Sequence, residues 1–392
     1  MQRWAHFSAQ AAMVGLLLGI STAAHAQFLV IGDDNKLHWD DAGKPVFTEP
    51  GKDEVVIVDI KNREAPKIVA SLPLTNTVIG PPTNLAVTPD ESLALVANSL
   101  NYESSGSGGW KPVPDNKIYV IDLQAAPPKL IATVEVGKQP SGMAINKAGN
   151  LALVSDRADN AVTVLTINGK DVKPVQTVSL GDTVSAVAIT PDGKHALVSK
   201  HAANKVAWLD IDGQAVSYGK NDFAVGVWPY NVQITSDGRF GLTANQGNGG
   251  VTDGGVGSVS VIDLKANPPR LVDYVAVGPT PEGLAVSPTA PLAVAVAING
   301  SGAAAKGTWY STSNSLLDVL STAGGRVRKI GSVKTGRLAE GIAFSPEGKY
   351  LYVGNFSDGN LQAYRVDGDK VRDTGKVLKL PGNPASMRGR TP

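Results

Sequence analysis

A short phrase recurs seven times along the chain and restricts the folds available to it. Each copy has a proline or small residue, two variable positions, an alternating apolar strand and usually a turn of the Pro-Asp-Gly kind. An example is Val184-Ser185-Ala186, which is followed by VAITPDGK. The third position of the copies falls at residues 84, 142, 186, 231, 283, 341 and 386. The mean spacing is roughly 50 residues, which is typical of the blades of a propeller.

Each full repeat has room for four strands, because Val, Ile, Thr and Tyr alternate with small residues between turn clusters. The last copy, at Pro384-Ala385-Ser386, has only one strand, whereas residues 28–75 supply three strands with no first one. We therefore expect an all-β fold: a single domain over residues 27–392 that forms a seven-bladed β-propeller with four antiparallel strands per blade. The N- and C-terminal segments share one blade, and this closure removes exposed sheet edges.

Residues 1–26 have the pattern of a signal peptide. Arg3 precedes an apolar run at residues 11–20, and Ala24-His25-Ala26 forms an A-x-A cleavage site. We expect cleavage after Ala26 and a periplasmic or secreted product. No later apolar run approaches 18 residues, so no membrane span is predicted.

Charge and cysteine content exclude several classes of partner and site. The sequence has 36 Lys and Arg against 35 Asp and Glu, and loss of Arg3 makes the two numbers equal. This balance disfavours nucleic acid as a partner. The absence of cysteine excludes thiol chemistry, cysteine-ligated zinc and iron-sulfur clusters.

The strand endings LYVGN, LALVAN and LALVSD, followed by V-x-V-I-D strands, resemble those of YVTN-type and lactonase-like seven-bladed propellers. The resemblance covers nearly the whole mature chain and implies the fold. It leaves the function open, since this group contains sugar-lactone hydrolases, cycloisomerases, surface-layer proteins, periplasmic binding proteins and electron-transfer subunits. Its lactone hydrolases carry a Pro-Arg-His-type triplet at a blade entrance, and none of the seven entrances here has that triplet.

The first strand of each blade (A) begins on the face where the D-to-A and B-to-C connections emerge, called the top face below. The middle position of the repeated triplet is large and polar in three consecutive blades, at Tyr230, Glu282 and Glu340. We expect these side chains to lie close together at the mouth of the central channel. The two carboxylates could act as an acid and base pair or hold a hard cation. Alternatively, they only form hydrogen bonds with channel water and with unpaired backbone groups at the strand ends.

Other polar residues are expected at the same mouth. His201 is a further catalytic candidate, and Asn231 and Lys200 are candidates for ligand binding. Arg337 and Arg388 could pair with the carboxylates or bind an anion. No cofactor is certain. If a divalent cation such as Ca²⁺ is bound, the candidate ligands are Glu282, Glu340, Asn84 and Asn355.

The B-to-C loops differ in length around the ring. They are long in blades one, two, five and six and short in blades three, four and seven, which predicts a trough across the mouth that is open at both ends. Three tryptophans, Trp39, Trp110 and Trp309, fall in the long loops, and Trp228 precedes Tyr230. They either form stacking surfaces for a ligand or anchor the glycine-rich loops.

These features favour a monomeric periplasmic propeller that binds a small molecule, a sugar or an aromatic ligand, or another periplasmic protein. The alternative is a metal-assisted hydrolase or lactonase that uses Glu282 and Glu340.

Overall fold

The computed structural model describes Met1 and residues 27–106, 108–248 and 252–390. The predicted signal peptide lies outside this part of the chain, apart from Met1. The strands are, in chain order, β1 Phe28–Asp33, β2 Leu37–Trp39, β3 Pro45–Phe47, β4 Glu54–Asp59, β5 Lys67–Leu72, β6 Leu85–Val87, β7 Leu93–Ser104, β8 Trp110–Asp122, β9 Lys129–Glu135, β10 Pro140–Ile145, β11 Leu151–Asp156, β12 Ala161–Asn168, β13 Asp171–Ser179, β14 Val187–Ile189, β15 His195–Lys200, β16 Lys205–Asp212, β17 Ala215–Ala224, β18 Pro229–Ile234, β19 Phe240–Asn245, β20 Gly257–Asp263, β21 Arg270–Val277, β22 Pro281–Val286, β23 Leu292–Ala297, β24 Leu316–Ser321, β25 Arg328–Lys334, β26 Ala339–Phe344, β27 Tyr350–Asn355, β28 Asn360–Asp367, β29 Lys370–Lys379 and β30 Pro384–Gly389.

These strands form seven four-stranded antiparallel sheets, and the predicted seven-bladed propeller is confirmed. The first blade has the order β30-β1-β4-β5, so the C-terminal strand pairs with the N-terminal one and closes the ring. The other blades each take four consecutive strands: β6 to β9, β10 to β13, β14 to β17, β18 to β21, β22 to β25 and β26 to β29. An additional hairpin, β2–β3, rises from the long B-to-C loop of blade one.

Apolar residues cluster between neighbouring blades, because each sheet buries both of its faces. Seven clusters correspond to the seven blade interfaces, as in the one that joins Leu153 and Val164 of blade three to Val198 and Leu209 of blade four. The closing interface buries Met387 of β30 against Tyr352 of blade seven. Core packing of this kind stabilises a large chain without disulfides.

Two short 3-10 helices, His201–Ala203 and Phe356–Asp358, are the helical segments in the described part of the chain. Within that part, no helix has the length and apolar character needed to cross a membrane.

Candidate functional site

Glu282 and Glu340 meet at the top mouth of the channel. Each is the second residue of its strand A, in β22 and β26 respectively, and both are buried. Their carboxyl groups are hydrogen-bonded to each other, and Gln246 Nε2 donates to Glu282 Oε1 at 2.6 Å. A side chain at Gly283 would lie 2.4 Å from the carbonyl oxygen of Glu340, so the glycine permits this close approach.

Burial raises the pKa values of both carboxyl groups. The pKa of Glu282 rises to about 7, opposed by the hydrogen bond from Glu340, by Arg157 and by Gln246. The pKa of Glu340 is raised well above its usual range by burial and by the neighbouring Glu282. Two buried carboxyl groups this close cannot both ionise readily, so the pair holds a proton at neutral pH, mainly on Glu340.

Tyr230 lies beside this pair, so the structure brings together the three residues that the triplet column predicted. It is buried at the start of β18, and burial raises the pKa of its phenol while Arg157 lowers it. The guanidinium carbon of Arg157 lies 5.6 Å from the Tyr230 ring centroid. Arg157 therefore places a positive charge near both the phenol and the Glu282 carboxyl group.

His201 and Trp228 extend the site toward blades three and four. Arg157 Nη2 lies 3.4 Å from His201 Nε2, and the His201 ring meets the Trp228 ring edge-on at 5.0 Å. Burial and Arg157 lower the pKa of His201 to about 3, so the imidazole is neutral at pH 7. Trp228 has a left-handed backbone (φ 60°), and its N–H donates to Asn204 Oδ1 at 2.8 Å.

Arg157 and Gln246 are members of this group that the sequence reasoning missed. The candidates Lys200 and Asn355 are the last residues of their strands B, whereas Arg157 and Gln246 occupy the next position. That position is held by Arg157, His201 and Gln246 in blades three to five, and by Ile298 and Phe356 in blades six and seven. In blades one and two the same position is also polar, at Asp34 and Ser99, so this column is polar in five consecutive blades and apolar in blades six and seven.

Several buried polar atoms at this mouth have no hydrogen-bond partner among the described protein atoms. They are Glu340 Oε2, Arg157 Nη1, His201 Nδ1, Asn231 Oδ1, Ser141 Oγ and Thr83 Oγ1. Buried polar groups are costly unless they are paired, and such groups in native proteins call for an explanation. A polar ligand or water at this mouth would satisfy them.

The donor set does not fit a divalent cation. No group of three or more His, Asp or Glu side chains in residues 27–106, 108–248 and 252–390 is placed to hold a metal. Asn355 is engaged within blade seven by Thr335, Asn360 and Gln362. Asn84 lies in blade two, beside Asn76 and the carbonyl of Thr77.

Three other predicted ligand-binding side chains are engaged or located elsewhere. Lys200 is buried in ion pairs with Asp222 of its own blade and with Asp182 of the connection from blade three. The prediction that Arg337 and Arg388 pair with the glutamates is wrong. Arg337 is bound by Asp358 at 2.8 Å, and Arg388 lines a cavity at the bottom end of the channel. Because β30 runs from top to bottom, its fifth residue lies far from the mouth at which the strand begins.

Asn231 remains at the top mouth. Its Nδ2 donates to the carbonyl oxygen of Glu282 at 3.1 Å, so it ties blade five to blade six beneath the carboxyl pair.

The long top-face loops do not leave both ends of the predicted trough open. Lys306 N–H of the blade-six loop donates to the carbonyl of Asp41 in the blade-one loop, and the two side chains form an ion pair at 2.6 Å. Trp39 meets Phe356 of blade seven edge-on at 6.0 Å. These contacts cover the low gap at blade seven, whereas the B-to-C loops of blades three and four, next to Arg157 and His201, are short.

The tryptophans of these loops have different environments. Trp39 packs against an apolar cluster under the loops that includes Leu37, Val78, Ile298 and Leu338, which is an anchoring position. Trp110 begins β8, because the predicted long loop of blade two is mostly an extension of the β7–β8 hairpin. Trp309 is 81% exposed and meets Tyr310 edge-on.

Comparison with known proteins supports the resemblance stated from the sequence. Residues 175–253 match the family model described as lactonase, 7-bladed beta-propeller. No curated protein matches the chain. The chain is similar in structure to a functionally unknown protein from Desulfotomaculum acetoxidans DSM 771, with a TM-score of 0.68 and 17% identity over 94% of this chain and 100% of that one.

Two further structures show how widely the fold is used. A periplasmic gluconolactonase of Pseudomonas aeruginosa aligns with a TM-score of 0.67 and 17% identity, over 93% of this chain and 99% of that chain. Hydrazine synthase of Kuenenia stuttgartiensis aligns with a TM-score of 0.54 and 19% identity, over 75% and 79%. The predicted lactonase-like propeller architecture is confirmed, and at these identities the likeness concerns the fold.

Proposed function

We propose that the top mouth binds a small hydroxylated molecule, with the Glu282–Glu340 pair and Arg157 as its polar contacts. The observation that carries this proposal is the buried, proton-sharing carboxyl pair beside Arg157. The pair offers a donor and an acceptor to hydroxyl groups, while Arg157 offers charge-assisted donors. The half-buried Trp228, which packs beside the buried His201, adds a ring surface at this mouth, which suits a ring-shaped ligand.

A second candidate function is hydrolysis of a lactone at the same site, without a metal. The proton-sharing pair favours it, because one carboxyl group is ionised while its neighbour keeps a proton near pH 7. The family match at residues 175–253 and the gluconolactonase likeness point to the same substrate class.

The proton transfers of this reaction balance within the pair. Glu282 takes a proton from water as the water oxygen attacks the lactone carbonyl carbon. The ring C–O bond breaks, and Glu340 gives its proton to the departing alkoxide oxygen. The proton on Glu282 then returns to Glu340 through their hydrogen bond, and the product is an open hydroxy acid. Arg157 would stabilise negative charge on the carbonyl oxygen.

The two functions are separated by measuring binding and turnover on the same proteins. Glucono-1,5-lactone and gluconate are titrated against wild type, Glu282→Gln and Glu340→Gln, with acid release followed by a pH indicator. Hydrolysis predicts a loss of turnover of about 10² to 10⁴ in both variants. Glu135→Gln, which alters an exposed glutamate of β9, is the matched control and should match wild type.

Binding with no turnover would leave recognition as the function and remove the hydrolase. Absence of both binding and turnover across a panel of lactones, sugars and sugar acids would contradict the proposal.

We also propose that the chain is exported and that residues 1–26 are removed. N-terminal sequencing of the protein from a periplasmic or culture fraction should begin at Gln27. A product that retains Arg3 would contradict this.

A further inference from the structure

The bottom end of the channel contains a cavity of about 300 Å³. Its wall is built by the last residues of successive strands A, and it lies at the end opposite to Glu282 and Glu340. Most of the wall is apolar, as at Met143, Ile145, Val187, Ile189, Ile234 and Val286. This volume is at the lower end of the range for small-ligand sites, about 300 to 1,000 Å³.

The charged residues that line this cavity are all basic. They are Lys147, Arg388 and Arg390, and no Asp or Glu is among the described residues of its wall. The adjoining cavity of about 120 Å³ shares Arg388 and Arg390 and also lacks an acidic wall residue in the described chain. The potential at this end of the channel therefore favours an anion.

Acidic residues in the nearby A-to-B turns are engaged by their own turns. Asp192 accepts from the Thr190 hydroxyl at 2.6 Å and from Lys194 N–H at 3.1 Å. Asp237 accepts from the Thr235 hydroxyl at 2.6 Å and from an adjacent N–H. These carboxylates are held in turn hydrogen bonds and do not pair with the arginines of the cavity.

Two other half-buried arginines of the blades have carboxylate partners that Arg388 lacks. Arg63 is bound by Glu347 at 2.6 Å and Arg239 by Asp263 at 3.5 Å, whereas Arg388 has no ion pair or side-chain hydrogen bond with any described residue. Burial lowers the pKa of its guanidinium to about 10. A desolvated charge without a partner destabilises the fold, and a bound carboxylate would compensate for it.

We propose that this bottom cavity binds an amphipathic monocarboxylate, with the carboxylate on Arg388 and the apolar body against the strand-A side chains. The charge of the wall selects an anion, and the apolar surface selects a ligand with a hydrocarbon or aromatic body rather than a bare inorganic ion. The proposal is independent of the top-face function, because the two sites lie at opposite ends of the channel.

Octanoate and its neutral analogue octanamide test this directly, by calorimetric titration and ligand-observed saturation-transfer NMR on the mature protein. We expect octanoate to bind at least about tenfold more tightly than octanamide, since charge-assisted hydrogen bonds are roughly twice as strong as neutral ones. Arg388→Gln should weaken the binding of octanoate by about tenfold or more and leave the affinity for octanamide unchanged. Arg372→Gln removes an exposed charge from β29 and is the matched control.

A second variant identifies the cavity without altering charge. Ala144 lines the wall, and Ala144→Phe should fill the space and abolish binding of both probes. If Arg388→Gln does not fold, Ala144→Phe and Arg388→Lys, which keeps the charge but loses the planar fork, provide the test. The proposal is overturned if octanoate does not bind wild type at millimolar concentration, or if Ala144→Phe or Arg388→Gln retains wild-type affinity for it.

Discussion

The same inner strands run through both ends of the channel, yet they carry opposite kinds of charge chemistry. At the top, Glu282 and Glu340 share a proton beside Arg157, because burial raises the pKa values of both carboxyl groups. At the bottom, Arg388 lies with Lys147 and Arg390 in a mostly apolar wall, and no acidic residue is among the described residues of that wall. The difference arises from position: the second residue of a strand A lies at the mouth framed by long loops, whereas its last residues lie above short turns. A propeller can therefore place two unlike sites on one set of strands.

The contrast between the two ends depends first on the loops that cover the top end of the channel. Trp39 packs on Phe356 and the apolar cluster that closes the gap at blade seven. We expect Trp39→Ala to lower the free energy of unfolding by about 2 to 3 kcal/mol, because a large half-buried ring is lost. Chemical denaturation measures this. A change below about 0.5 kcal/mol would show that the loops are not anchored there.

The carboxyl pair makes the stability of the top end depend on pH. Its pKa values are raised in the folded protein, so the folded state binds more protons than the unfolded one, and stability falls as pH rises. The pKa of His201 is lowered in the folded protein, so below its ordinary value of 6.5 this residue makes stability rise with pH. The effect of the carboxyl pair is therefore best measured between pH 6.5 and 8.

Within that window Glu340→Gln should be more stable than wild type by about 2 kcal/mol at pH 8, with a smaller difference at pH 6.5. Urea unfolding at the two pH values measures it. The stability of Glu340→Gln will still fall somewhat with rising pH, because burial also raises the pKa values of Asp33 and Asp156. Equal differences at both pH values would contradict the shared proton.

A substitution at the bottom end should change the free energy of unfolding by an amount that does not depend on pH. Arg388→Met removes an unpaired, half-buried charge and keeps the volume, so we expect stability to rise by about 1 kcal/mol. Because the arginine is charged throughout pH 6.5 to 8, the gain should be the same across the window. A loss of stability of similar size would indicate that Arg388 has a structural partner, which would remove the case for an anion site.

Trp309 gives the smallest expected effect. It is 81% exposed at the top face, in contrast to Trp39. Trp309→Ala should change the free energy of unfolding by less than about 0.5 kcal/mol. If fluorescence titration shows that the substitution weakens binding of the top-face ligand, Trp309 is part of the recognition surface. A large loss of stability would instead make it an anchor like Trp39.

The sequence predicted the fold and one part of the site. Seven copies of a triplet and its strand define the blades, since repetition averages out local ambiguity, and the triplet column found Tyr230, Glu282 and Glu340. Arg157 was missed because its role depends on which way the first B-to-C residue projects. Arg388 was placed at the wrong end of the channel. The contact between Asp41 and Lys306, which joins the loops of blades one and six, was not predicted. Contacts between loops of this kind do not produce a repeating pattern in the sequence.

The central claim is that Glu282 and Glu340 share one proton at neutral pH. It can be measured by labelling glutamate at the side-chain carboxyl carbon and following the carbon resonances from pH 4 to 9 by NMR. We predict that one carboxyl group remains protonated through pH 7 in wild type, and that this resonance is lost in Glu340→Gln. If every glutamate in wild type ionises below pH 6, the pair does not share a proton, and the account of the top-face site is wrong.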